Sequence, residues 1–565
     1  MFFGSTYKGK SFAHIVNMKK NLLLFFVVFA VLLSCNNNKG SGEGGGGDEA
    51  ETDAKKVTSR DLSITPQNSY NDLFIDSTKV AAFLDSAELK GKYKRRILSF
   101  YNARNYQYAW FAKDGLTEQA RGFYNLYLFD ATHKSDSLQV DKKLKAKMDA
   151  LFAEEDLEVT NSNASLLQTE LALTKLFIVH GLQVYEDGYV KRKEMERFIP
   201  SRKVNAIGVS DSLISKKHKD NKYFEDINEP YKKLKVELQK YVAIAKRGAW
   251  PTIELTEKAA KMGNSSSEIL ALKTRLQLMG DMPLGDTTPV YNEALDAGIK
   301  SFQTRLGFSP SGKVTASLLT ELNVPVENRI EQLLINLDRM RWMPSLPEGK
   351  MILVNIPEFT LHVMEGKSKV FDMNVVVGKQ GFNTMMFTNE LSQVVFSPYW
   401  NVPASIVEDE LLAKMAANPN YLASQNMEIV SSGGKLPIIR QLPGADNALG
   451  KVKFLFPNSF NIYFHDSPAK SLFKNDKRAY SHGCIRLSDP DKMANYLLKD
   501  QQEWSADAIN MAMNAETEKI VVLKKAVPVF ITYYTAWVDA NGKLNFRDDI
   551  YGHDKAIASK LFAKN

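Results

Sequence analysis

The sequence predicts a multidomain α+β protein whose helices and strands are segregated along the chain. Three observations predict it. Apolar residues recur at helical spacing through much of 69–264. A short unit at 265–324 holds three helix-like runs punctuated by glycine turns. From about residue 350 the rhythm changes to runs rich in Val, Ile, Phe and Tyr separated by turn residues, interrupted once, near 405–450, by a helical stretch. At 565 residues the chain has room for three or four such units.

Residues 1–34 are expected to be a targeting segment. Met18-Lys19-Lys20 supplies a basic start, and Met18 reads as the true initiator. The apolar run Leu22 to Leu33 is short for a membrane span. Leu32-Leu33-Ser34-Cys35 resembles a bacterial lipobox, in which the cysteine is lipidated and becomes the mature N-terminus; the competing reading is an uncleaved anchor. Residues 35–68 follow as a flexible linker, because Asn36-Asn37-Asn38 and Gly44-Gly45-Gly46-Gly47 with scattered acids cannot bury a core. Loss of Lys8, Lys10, Lys19 and Lys20, with no acid lost, takes the formal charge from +8 to +4. No basic cluster with interleaved aromatics accompanies that charge, so nucleic acid is not an expected partner.

In the helical region, Val80 to Phe111 and Leu166 to Tyr185 carry the spacing. The aromatic run Asn105 to Phe111 reads as a packed helix–loop corner rather than a ligand site. In 265–324, the predicted helices are Ile269 to Gly280, Tyr291 to Leu306 and Val314 to Leu322, with a turn at Gly307 to Gly312. This order resembles the three-helix peptidoglycan-binding domain, which in some multidomain relatives acts as a spacer. A connecting helix is expected over Glu327 to Trp342, within 325–349.

The β-rich domain is placed at 350–540, with strands at Met351–Ile356, Thr360–Met364, Phe371–Val377, Gln393–Pro403, Val452–Pro457 and Val527–Tyr534. The insertion at about 405–450 starts with a helix, Ile406 to Ala417, and includes the loop Ser431-Ser432-Gly433-Gly434. Residues 541–565 form a tail. Its Phe546 to Gly552 stretch is read as a turn or docking segment, since no histidine at ligand spacing accompanies the acids.

Chemistry concentrates at Tyr480-Ser481-His482-Gly483-Cys484-Ile485-Arg486, with His465 nineteen positions before Cys484 at the end of the strand-like run Asn461 to Phe464. Cys35 and Cys484 are the two cysteines, and the lipobox accounts for the first. An unpaired thiol in an exported chain is an oxidation liability unless it is used. A strand, a loop and a turn can bring imidazole to sulfur, and the thiolate can then attack a carbonyl. The bland alternative is a small buried hydrophobe. Histidine, fifteen residues, then Ser-His-Gly-Cys-Ile-Arg resembles the signature of the L,D-transpeptidase family with its YkuD-type catalytic domain.

That resemblance implies a mixed β-sandwich capped by the insertion, after a helical scaffold. It implies that Cys484 attacks the third residue of a peptidoglycan tetrapeptide stem, with His465 as general base and then acid. The backbone around Ser481, His482 and Gly483 would form the oxyanion hole and turn. Trp400, Asn401 and Arg486 would contact substrate, with a structural ion pair as the other reading of Arg486. A second stem's amine would resolve the thioester as a 3→3 cross-link. Carbapenem-type inhibitors would acylate Cys484, and no metal or other cofactor is expected. The competing outcomes are an L,D-carboxypeptidase, an enzyme attaching proteins to peptidoglycan, and a non-catalytic wall-binding scaffold. With Cys35 lipidated, the protein would be a periplasm-facing lipoprotein of the bacterial envelope.

Overall fold

Side-chain caps start most of the N-terminal helices. In the computed structural model, Asp76 caps α1 (Ser77–Ser86), which is followed by α2 (Gly91–Ala103) and α3 (Glu118–His133); Asp141 caps α4 (Lys142–Ala153), which precedes α5 (Ala164–Tyr185). The structure describes residues 56–563 except 134–138, 155–156, 186–198, 216–227, 249, 259 and 345. The targeting segment and Cys35 lie outside the described residues.

The helical pattern read through Val80 to Phe111 is broken in two places. The chain leaves helical geometry after Ser86, and again after Ala103, where Asn105 and Tyr106 take φ of 50° and 61°. The Glu170 carboxylate of α5 then accepts the Ala109 and Trp110 N–H groups at 2.8 and 2.9 Å. Burial pushes Glu170 up to about 7 despite those donors. Trp110 is fully buried against Phe123 and Phe177, with its indole N–H on Thr174, so the aromatic run is core.

After α6 (Ala206–Ile214) and α7 (Glu229–Lys246) come the three helices of the compact unit, α8 (Ser267–Leu278), α9 (Glu293–Arg305) and α10 (Ala316–Leu322). Ser266, Asn292 and Thr315 cap them. Leu272, Leu276, Leu295, Ile299, Phe302 and Leu318 share one apolar cluster with the connecting helix α11 (Val326–Arg341).

The C-terminal domain begins with β1 (Lys350–Asn355), β2 (Thr360–Glu365), β3 (Ser368–Gly378) and β4 (Phe387–Phe396). The insertion adds β5 (Trp400–Asn401), β6 (Met427–Ser431) and β7 (Ile438–Gln441) as a separate small sheet, order β5-β7-β6. The main sheet resumes with β8 (Val452–Leu455), β9 (Phe464–His465), β10 (Ala479–Ser481), β11 (Ile485–Leu487) and β12 (Lys519–Thr532). Helices α12 (Pro490–Leu498) and α13 (Ala506–Met513) cross between β11 and β12.

The main sheet runs β10-β3-β11-β9-β8-β4-β12-β1-β2, and β3 also pairs with β2. The first half of β3 bonds β2 and its end bonds β10 and β11, so this mixed sheet closes on itself. Val375, Val377, Phe454, Phe464, Ile485 and Leu487 point inward to the domain core. Alternation then turns Lys453, His465 and Arg486 to the other face.

Candidate active site

His465 and Cys484 are brought together by strand pairing. β9 and β11 run parallel, with Phe464 opposite Ile485 and His465 opposite Arg486, so Cys484 enters β11 just beside the histidine strand. The strand read over Asn461 to Phe464 is shorter than expected. Asn461 takes φ of 55°, and the Asn458 side chain accepts the N–H groups of Phe460 and Ile462. That turn aims the Asn461 carbonyl at Cys484 Sγ, 3.6 Å away, which the thiol donates to as a weak bond.

His465 is buried, and its Nδ1–H donates to its neighbour's backbone carbonyl, Asp466 O, at 2.5 Å. This tautomer leaves Nε2 with a free lone pair. The Asp466 carboxylate is engaged elsewhere, accepting from Lys451 N, Ser467 N and Lys470 Nζ. Burial, then the positive charge of Arg486, push His465 down to about 3, so the imidazole is neutral. Burial also pushes the half-buried Cys484 thiol up, against the opposing pull of the Tyr463 N–H, the Tyr463 hydroxyl and Arg486. The resting pair is therefore thiol and imidazole, both uncharged.

The Ser-His-Gly-Cys turn is closed by its own serine. Ser481 Oγ accepts from Gly483 N at 3.2 Å and donates to Cys484 O at 2.5 Å. Gly483 sits at φ 105°, a conformation that a side chain would strain. His482 is exposed, packs edge-on against Phe382 and lies 3.6 Å from Glu410 of the insertion.

The turn opens onto a cleft of about 1010 Å³ lined by residues of three regions. Lys453 belongs to the closed sheet, Tyr463 and Cys484 immediately precede its strands β9 and β11, Asn401 and Pro403 belong to the root of the insertion, and Phe152 to the end of α4. Of the two tryptophan-loop residues expected at substrate, Asn401 faces this cleft. Trp400 packs into the insertion's own apolar cluster with Val402, Val407, Leu411 and Ile439. Arg486 lies beside His465, outside the cleft lining, and its Nε has no hydrogen-bond partner.

Residues 349–522 match the YkuD family, described as the L,D-transpeptidase catalytic domain, and 95–238 match the Scaffold domain family. Residues 349–522 are a YkuD L,D-transpeptidase catalytic domain. A Haemophilus influenzae protein named "Putative L,D-transpeptidase" is 34% identical over 246 residues, spanning 41% of this chain and 49% of that one. The chain thus spans about half the length of the curated relative it matches. Among solved structures, the L,D-transpeptidase (Yku) from Stackebrandtia nassauensis is similar at 16% identity and a TM-score of 0.21, covering 50% of this chain and 96% of that one. An LD transpeptidase in complex with imipenem is similar at 17% identity and a TM-score of 0.17, covering 33% and 59%.

Four residues at the YkuD site were not anticipated from sequence. Asn461 and Tyr463 sit near the thiol through a turn with no sequence signature beyond its asparagines. Lys453 is opposite His465 in the β8–β9 register, with its ammonium 3.2 Å from Glu518. Phe152 comes from the scaffold, about three hundred residues upstream, and stacks on Phe460 at 6.1 Å. Among the described residues, no group of three or more His, Cys, Asp or Glu side chains could hold a metal ion.

Proposed function

We propose that Cys484 is the nucleophile of an L,D-transpeptidase that joins peptidoglycan stem peptides by 3→3 cross-links. The observation that carries this reading is the parallel β9–β11 pairing, which sets neutral His465 beside the Cys484 turn at a large cleft. His465 Nε2 takes the thiol proton as sulfur bonds the carbonyl carbon of the third stem residue. The tetrahedral oxyanion collapses, the bond to the terminal D-alanine breaks, and His465 returns the proton to that leaving amine. A side-chain amine of a second stem then attacks the thioester, gives a proton to His465 and releases the sulfur, which regains it.

In this reading, backbone N–H groups of the Ser481–Cys484 turn hold the oxyanion. Asn401 at the root of the insertion helps seat the stems. Burial, and then the charge of Arg486, keep His465 neutral. Carbapenems acylate the same sulfur, and a lipidated Cys35 tethers the protein to a membrane on the periplasmic side. The three-helix unit at 265–324 contacts the wall or spaces the domains.

The test is incubation of the purified chain with tetrapeptide muropeptides, read by intact mass. Cross-linked dimers are expected, and none from Cys484→Ala. Shortened monomers alone would mean that water accepts the acyl group and the protein is a carboxypeptidase. Stem adducts on a protein would mean wall anchoring, and dimers from purified Cys484→Ala would sink the nucleophile assignment.

A further inference from the structure

The peptide linking Gly483 to Cys484 is held from behind by a residue outside the motif. Thr384 Oγ1 donates to Gly483 O at 2.7 Å. Thr384 is buried and does not line the cleft, whereas Cys484 opens onto it. In a planar trans peptide, the carbonyl and the following N–H point in opposite directions. Fixing the Gly483 carbonyl on Thr384 therefore aims the Cys484 N–H away from Thr384, toward the cleft. The neighbouring Gly483 N–H is already bonded to Ser481 Oγ.

Thr384 is itself held by two bonds, and a third ties its two partners together. Its hydroxyl accepts from Gly378 N at 2.9 Å, its own N–H donates to the Tyr551 hydroxyl at 3.2 Å, and that hydroxyl donates to Gly378 O at 2.7 Å. Gly378 has no room for a side chain: a Cβ would lie 2.0 Å from Phe382 O and 3.1 Å from Gly483 Cα. Tyr551 belongs to the C-terminal tail and is anchored in turn, its N–H donating to the Tyr533 hydroxyl at 2.9 Å and that hydroxyl to Asp549 at 2.8 Å.

We infer that Thr384, locked by Tyr551 of the tail, is the positioning residue of the oxyanion hole: its hydroxyl aims the Cys484 N–H at the acyl oxygen. This rests on the acyl-transfer reading of Cys484. It gives the tail a place in the chemistry although the tail reaches neither cleft nor sulfur.

The test compares two reactions of Cys484 in the full chain, followed by mass mapping of the Cys484 peptide. Acylation by imipenem develops an oxyanion; alkylation by iodoacetamide does not. Thr384→Val removes the hydroxyl at nearly constant shape. It is expected to slow acylation about 10- to 100-fold, below the loss from removing an oxyanion donor outright, and to leave alkylation within about 2-fold. Thr384→Ser should restore most of the acylation rate. Tyr551→Phe, which keeps the ring and removes the bridge, should slow acylation by a smaller factor, again without slowing alkylation. Equal slowing of both reactions, or unchanged acylation in both Thr384→Val and Tyr551→Phe, overturns the inference. A wild-type chain that is alkylated at Cys484 and never acylated overturns the acyl-transfer reading and this inference together.

Discussion

At the residue scale, the paired His465 and Cys484 carry a prediction about pH. A protonated imidazole cannot take the thiol's proton, so acylation should fall as pH drops through the His465 pKa. Burial and Arg486 push that value down to about 3, far below the ordinary histidine range. Acylation by a carbapenem, followed by intact mass from pH 4 to 8, should therefore hold near its neutral-pH rate at pH 5. Arg486→Gln removes the neighbouring positive charge and should move the acid limb upward. A limb near 6.5 in the wild type, unmoved by Arg486→Gln, would contradict this electrostatic account. The motif residues were legible because the chemistry dictates their types: a thiol, an imidazole, a glycine at positive φ. Tyr463, Asn461 and Thr384 were not, because a hydroxyl or a backbone carbonyl that serves by position leaves no mark on residue choice.

At the element scale, the insertion and the β2–β3 hairpin each carry a prediction. The insertion has its own sheet and its own apolar cluster, so its removal takes little from the core of the closed sheet. Replacing residues 405–446 by a short linker, which spares the Asn447–Gly450 approach to His465, should leave carbapenem acylation largely intact. The yield of cross-linked muropeptide dimers should collapse, because in the proposed function the insertion caps two bulky stems and keeps water out. Loss of both readouts would mean that the insertion supports the fold. In the hairpin, burial of His362 opposes its charge, but Asp372 at 2.7 Å and Glu358 at 3.1 Å outweigh it and hold the imidazole up at about 9. A raised folded value stabilises fully below the ordinary pKa near 6.5 and loses that contribution as pH rises through 9. With part of the site solvent-screened, the effect is on the order of 1–2 kcal/mol. The Tm difference between wild type and His362→Gln should therefore be largest below pH 6.5 and shrink toward pH 9.5; a difference flat across that range would refute it. The compact unit and its connecting helix were legible from period and caps: α8, α9, α10 and α11 lie within a few residues of expectation. Helices α3, α4, α6 and α7 were read only as part of a helical region, and the β6–β7 hairpin and helices α12 and α13 escaped, the hairpin because Ile429, Val430 and Ile438 are exposed and Ile439 alone of its isoleucines and valines is buried.

At the scale of the whole molecule, what the sequence could not show is how the parts share one site. Scaffold residue Phe152 lines the cleft and tail residue Tyr551 backs the cysteine turn, yet no local pattern links them to residue 484. The connecting helix α11 holds these regions in register through Arg339. This buried guanidinium bonds Glu118 of the scaffold and Asp554 of the tail, both at 2.5 Å, and lies over the Tyr533 ring. Both acids are at most one-fifth exposed, so removing the cation strands two partly desolvated carboxylates. Arg339→Ala should cost about 3–5 kcal/mol, the range for breaking a buried pair by one partner. The cost should fall on the junction rather than on the closed sheet, whose core is built from other residues. Limited proteolysis should then cut between scaffold and catalytic regions at lower denaturant in Arg339→Ala than in wild type, and cross-linking yield should fall with Phe152's wall displaced. The triple change Arg339→Met, Glu118→Leu, Asp554→Leu replaces the charges by apolar groups of similar reach and should recover most of the lost stability. If the triple variant is as unstable as Arg339→Ala, stranded charge is not the cause, and the junction depends on the directional bonds of the guanidinium itself.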